Sequence, residues 1–137
     1  MAVTLPAQSF AADPVYTALF SNRAAGGHDV VAYFTDGAPR EGKKSISTRH
    51  DGAEWLLATE ANRALFVSDP NKYAPHYGVY CAWAVSQGYT ASGDPQNWTI
   101  QDGKLYLNYN DDVQATWEAD KARLIRAADE NWPKVLD

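Results

Sequence analysis

Two Asp-Gly pairs, Asp51-Gly52 and Asp102-Gly103, constrain this chain more than any other feature. An Asp-Gly pair between strand-forming runs marks a two-residue hairpin, because both turn positions need a positive φ that glycine, and at some cost aspartate, can adopt. Ser45 to Thr48 precedes the first pair, and Ala53 to Ala58, carrying Trp55, Leu56 and Leu57, follows it. Trp98 to Gln101 and Lys104 to Tyr109 flank the second pair. There Leu105 and Leu107 alternate with Tyr106 and Asn108, so one face is expected to be buried. The residues Asp29-Val30-Val31-Ala32-Tyr33-Phe34 are β-rich and predict a further strand.

Helices are announced by their caps. Thr59 is a good N-cap for Glu60 to Ser68, with an acid in the first turn. Asp69-Pro70 supplies a cap and an N1 proline for a short helix through Tyr73. Asn110 can cap a long helix from Asp111 to about Glu130, where Val113, Trp117, Leu124 and Ala128 form one apolar stripe with Ile125 and Trp132 beside it. Pro133 ends it. Val15, Tyr16, Leu19 and Phe20 suit one or two helical turns within Pro14 to Ala24, and Gly88 to Gln96 reads as a loop. The order predicts an α+β domain over residues 13–137, a small antiparallel sheet with short helices and one long C-terminal helix.

Charge and length exclude several function classes. At 137 residues the chain is one domain, with a net charge of −5 and no Lys/Arg cluster, so no nucleic-acid partner is expected. No apolar run approaches the roughly 20 residues of a membrane span. Residues 1–12 lack positive charge and end in Ser9-Phe10-Ala11-Ala12, which looks like the small-residue tail of a secretory leader. They read as a leader remnant or a disordered N-terminus, and the first of these predicts a periplasmic or secreted protein.

Chemistry concentrates in Tyr73 to Gly88, which holds the single cysteine, Cys81, and one of the three histidines, His76. Pro75 and Gly78 break regular structure just before Cys81, and Ala82-Trp83-Ala84-Val85 follows as a short apolar element. A thiol at a helix start is where a depressed thiol pKa is plausible, while free cysteine is also a common packing residue. Gly26-Gly27 lacks the spacing and the lysine of a phosphate-cradling loop, and no Gly-x-Ser-x-Gly, His-Glu-x-x-His or Cys-x-x-Cys occurs. Metal ligation must therefore draw on Cys81, His76, His50 and His28. His76 and Cys81 lie five apart across a turn and could converge, whereas His28-Asp29 and His50-Asp51 resemble ligand-plus-orienter pairs.

Gly52-x-x-Trp55-x-Leu57-Ala58-Thr59-x-x-Asn62-x-x-x-Phe66-x-x-x-Pro70-x-x-Tyr73 matches without a gap the second half of a known pattern. With Asp29 to Phe34 as its first half, the segment resembles the YHS domain, a small module of heavy-metal ATPases and metal-handling proteins. Where the metal-type module has cysteine, this chain has Ala32, Ala58 and Asn62. The resemblance thus implies a treble-clef-like core without its thiolate site, and no metal at those positions. From about Gly26 to Leu136 the chain is similar to the exported, stand-alone bacterial branch of YHS domain-containing proteins, through Tyr80-Cys81-Ala82, Asp102-Gly103-Lys104-Leu105-Tyr106-Leu107-Asn108-Tyr109 and Asn131-Trp132-Pro133. It departs from that branch at His28, Val30, His76 and Val79, the last standing where the branch has glycine. Some members are described as possible selenoproteins, which implies a reactive chalcogen at the Cys81 position.

Three functions follow. The first is soft-metal binding or trafficking in the periplasm, with Cys81 and His76 holding Cu(I) or Zn(II). The second is a thiol redox protein in which Cys81 reacts and a partner thiol protein resolves it. The third is a non-catalytic interaction module with a buried Cys81. The first two place Cys81 in a partly open aromatic pocket with Tyr33, Tyr77, Tyr80 or Trp83, folded back over Ala32 and Ala58. Whether the protein is an enzyme stays open at this point.

Overall fold

The computed structural model describes residues 12–137. The leader reading of residues 1–12 lies, except for Ala12, outside the described residues. Ala12 itself donates its N–H to the Leu136 carbonyl at 2.9 Å, near the other end of the chain.

Both Asp-Gly pairs close hairpins. Strand β1 (Lys43–His50) pairs antiparallel with β2 (Ala53–Leu57), His50 opposite Ala53, across Asp51 at φ 50° and Gly52 at φ 79°. Strand β3 (Asp94–Gln101) pairs with β4 (Lys104–Asn108), Gln101 opposite Lys104, across Asp102 at φ 54° and Gly103 at φ 74°. Two positive-φ residues in the turn match the twist of the flanking strands, as the sequence required. The α+β class is as expected, but the single small sheet is not: the hairpins form two separate two-stranded sheets. They associate through side chains instead. Trp55 and Leu57 of β2 and Leu105 and Leu107 of β4 share one core with Val30, Val31, Tyr33 and Phe66.

Strand β4 is buried on both faces, not one. Tyr106 points away from Leu105 and Leu107 into a second core with Tyr77, Tyr80, Val85, Trp117, Leu124 and Leu136. This strand therefore separates the two cores, and its last residue, Asn108, is fully buried.

The helices mostly begin where their caps do. Helix α2 (Glu60–Ser68) starts at Thr59, whose side chain accepts the Asn62 N–H at 3.0 Å, and α3 (Pro70–Tyr73) follows with proline at its start. Three expectations need correction. Asp29 to Phe34 is not a strand: Asp29 Oδ1 accepts the N–H groups of Val31 at 2.9 Å and Ala32 at 3.2 Å in a local turn, and helix α1 (Ala32–Thr35) follows it. Local hydrogen bonding here overrides the β preference of the valines. Pro14 to Ala24 is not helical. It is a strap tied by Tyr16 N–H to Gly78 O at 2.7 Å and by Ala24 N–H to Glu54 O at 2.8 Å, with Leu19 and Phe20 in solvent at its bend. The long C-terminal helix is two helices, α5 (Asp111–Glu118) and α6 (Lys121–Asn131). Asp120, at φ −147°, breaks the helical path and restarts it as the N-cap residue of α6. The apolar stripe survives the break, since Trp117, Leu124 and Ala128 are all buried in the second core.

Candidate functional site

The stretch from His76 to Cys81 runs through three consecutive left-handed residues, Tyr77 at φ 62°, Gly78 at φ 61° and Val79 at φ 73°. Glycine is required at 78, because a Cβ there would stand 1.9 Å from the Pro14 carbonyl oxygen of the strap. Val79 is the strained residue, since a β-branched side chain at positive φ costs about 1–2 kcal/mol. It is fully buried in the first core, and its carbonyl accepts the Gly93 N–H at 3.0 Å. Tyr77 is held by its hydroxyl donating to Asp129 Oδ1 at 2.8 Å, and Tyr80 by donating to the Asp13 carbonyl at 2.8 Å. The turn is over-determined by its surroundings, which is how strain persists in a folded chain.

Cys81 follows as the N-cap residue of helix α4 (Ala82–Ser86), with its N–H donated to Ala91 O at 2.8 Å. The residue is 1 % exposed. Its thiol donates to Asn108 Oδ1 at 3.5 Å, and the same oxygen accepts the Trp83 N–H at 3.1 Å. That N–H fixes the orientation of the amide, because a flipped Asn108 would set two donors against each other. Asn108 Nδ2 is consequently buried with no hydrogen-bond partner among the described residues. Burial pushes the Cys81 pKa up, and the backbone N–H groups of Ala84, Tyr109 and Trp83 around the sulfur pull it part of the way back. Cys81 lines a cavity of about 190 Å³ together with Trp83, Ala84, Tyr89, Ala91, Tyr109 and Val113. Tyr89 and Tyr109 are about half exposed and form its outer wall.

This pocket differs from the expected one. Trp83 belongs to it, while Tyr33, Tyr77 and Tyr80 do not. Tyr33 donates instead to the Pro95 carbonyl at 2.6 Å. Nor is the cysteine tied to Ala32 and Ala58. Those residues are buried around Asp29, whose Oδ2 accepts the Ala58 N–H at 2.8 Å and the Asn62 side-chain amide at 2.8 Å. One fully buried carboxylate thus gathers donors from positions 31, 32, 58 and 62.

His76 lies on the other side of the turn. Its ring stacks on Tyr106 with centroids 5.2 Å apart, and it lines a separate cavity with His50 and Asp51. Burial lowers its pKa and so does Lys104, with Asp129 opposing. His28 Nδ1 lies 3.1 Å from the Ala25 carbonyl. The turn therefore parts His76 from Cys81, and among the described residues no three His, Cys, Asp or Glu side chains converge as a metal site. Sequence reasoning missed Asn108, Tyr109, Tyr89 and Asp29. The signal for Asn108 was the run Leu105-Tyr106-Leu107-Asn108, which has no charged residue on either face of the strand.

No family model, no curated protein and no solved structure matches this chain.

Proposed function

We propose that this is an exported thiol redox protein of the YHS type, periplasmic or secreted, in which Cys81 is the reacting group. The observation that carries the reading is a single buried thiol that lines a small cavity and donates to the Asn108 side-chain oxygen. The Asn108 oxygen that accepts from the thiol can equally accept from the S–OH group of a sulfenic acid. The small cavity suits a compact, uncharged oxidant.

The chemistry is that of a single thiol. The Cys81 thiolate attacks a hydroperoxide oxygen, an S–O bond forms as the O–O bond breaks, and the departing alkoxide or hydroxide takes up a proton. The sulfenic acid condenses with an external thiol, releasing water and leaving a mixed disulfide. A second external thiol attacks that disulfide, frees reduced Cys81 and is itself oxidised. The chain has no second cysteine to do this, so a partner thiol is required. Burial keeps the resting group protonated, which shields a free thiol in an oxidising compartment.

The alternative, Cu(I) or Zn(II) held by Cys81 and His76, needs both side chains in one site, and they line different cavities. One experiment separates the readings. Folded protein is treated with a hydroperoxide and a sulfenic-acid trap, and the adduct is located by mass spectrometry. Cu(I) affinity is measured beside it for wild type, Cys81→Ser and His76→Ala. The redox reading expects one adduct on Cys81 and a Cu(I) affinity indifferent to His76. No adduct, together with weaker Cu(I) binding in both variants, establishes the metal reading instead.

A further inference from the structure

The strap between Pro14 and Ala24 carries a tip that packing does not account for. Its legs are fixed: Thr17 pairs with Ala24 in an antiparallel bridge, and the Tyr16 N–H is tied to Gly78 O. Between the legs, Ser21 donates its N–H to the Ala18 carbonyl at 2.9 Å and closes a tight turn with Leu19 and Phe20 at its centre. Phe20 has φ 62°, the left-handed setting that this position of a turn ordinarily gives to glycine or asparagine. Leu19 is 84 % exposed and Phe20 101 %, more than any other large apolar side chain among the described residues. A bulky aromatic held at a glycine position with no packing to offset the strain points to a contact outside the chain.

We infer that Leu19 and Phe20 dip into the surface of a bilayer of zwitterionic lipid and hold the protein there peripherally. Two side chains on a projecting turn offer on the order of 300 Å² of apolar surface, well short of the roughly 800 Å² per partner of a stable protein–protein interface. A bilayer sets no such threshold, since each apolar group gains by leaving water, and the attachment is weak and reversible. No charge is desolvated on entry, because Pro14 to Asn22 contains no charged residue. Arg23, the first cation beyond the tip, faces Glu54 at 3.7 Å. The net charge of −5 repels an anionic surface, which selects zwitterionic lipid. Tyr109, about half exposed, lines a cavity with Ala18 and Ser21 at the base of the turn and offers an amphipathic ring of the kind that favours headgroup level. No helix among the described residues is long and apolar enough to cross a membrane, so the contact lies on a bilayer and does not span it. The inference is independent of the chemistry of Cys81.

Phosphatidylcholine vesicles are the probe, and vesicles with part of that lipid replaced by phosphatidylglycerol are the comparison, with binding read by co-sedimentation. Wild type is expected to partition reversibly onto the neutral vesicles, no more strongly onto the anionic ones, and with little dependence on salt. Phe20→Trp should bind as well, its added emission shifting to the blue and being quenched by brominated acyl chains. Phe20→Gly suits the left-handed turn, so its melting temperature should not fall, while vesicle binding weakens about tenfold. Cys81→Ser should bind as wild type does. The inference is overturned by the absence of partitioning, by Phe20→Gly binding as wild type does, or by tighter binding to anionic vesicles that salt abolishes. A concentration-dependent dimer in sedimentation velocity that Phe20→Gly abolishes also overturns it, and assigns the tip to a second copy of the chain.

Discussion

Replacing Asp29 by asparagine removes one charge and one acceptor from a site that uses both. The carboxylate accepts four hydrogen bonds, from the N–H groups of Val31, Ala32 and Ala58 and from the Asn62 amide, at 2.8 to 3.2 Å. An asparagine oxygen can serve one pair of these donors, and its NH2 group then faces the other pair. Two buried donors lose their partner, each costing about 1–3 kcal/mol. The surviving pair drops from charged to neutral hydrogen bonds, a further loss of about 1 kcal/mol. Relief of carboxylate burial offsets part of this, leaving a destabilisation of about 3–5 kcal/mol, a large share of the total stability of an ordinary domain. Urea unfolding monitored by tryptophan fluorescence reads it as a lower midpoint at unchanged slope. Asn62→Ala removes one donor, so the double variant should be non-additive by about 1 kcal/mol or more. An Asp29→Asn loss below about 1 kcal/mol would refute the idea that this carboxylate ties α1, β2 and α2 together.

Other outcomes follow from the same geometry. Gly78→Ala should cost at least about 2 kcal/mol, from left-handed strain and from the clash with Pro14, and hydrogen exchange at Tyr16 should quicken as the strap detaches. The buried tyrosines Tyr33, Tyr77 and Tyr106 all have raised pKa values, chiefly through burial, with Tyr106 pushed up to about 12. Their protonated forms are favoured in the fold, so this stability is intact below pH 10 and is lost as pH rises toward 12; thermal melts across that range should show it, less steeply for Tyr77→Phe. His76 has the opposite sign, its pKa lowered by burial, so its contribution is complete above pH 6.5 and fades as pH falls below it. His76→Gln should therefore lose less stability than wild type between neutral and mildly acid pH in urea titrations.

Legibility in the sequence followed how local each determinant was. Both hairpins were readable because Asp-Gly dictates a turn from two residues, and α2 because Thr59 caps it within one turn. Helix α1 was not, since Val30 and Val31 favour a strand and what overrides them is a carboxylate partnered with residues about 30 positions away. The break at Asp120 was hidden because the apolar stripe keeps its spacing across it. His76 and Cys81 were singled out correctly as neighbours in sequence, but their divergence depends on three left-handed residues, of which only Gly78 advertises that conformation. Asn108 went unread because alternation along β4 assigns it to solvent, whereas a second core covers that face.

The central claim, that Cys81 is placed to take up oxygen on its sulfur, meets its most direct test in two rates on the folded protein. These are oxidation of Cys81 by hydroperoxide and its alkylation by a small neutral reagent, each in wild type and in Asn108→Leu, from neutral pH to pH 9. Both rates should climb with pH without a plateau, because burial raises the thiol pKa. Loss of the Asn108 amide should slow oxidation by about tenfold, the worth of one buried hydrogen bond, while alkylation changes much less. Equal rates in the two proteins, or a Cys81 that reacts with neither reagent until the chain is unfolded, would contradict the account and leave the thiol as a packing residue.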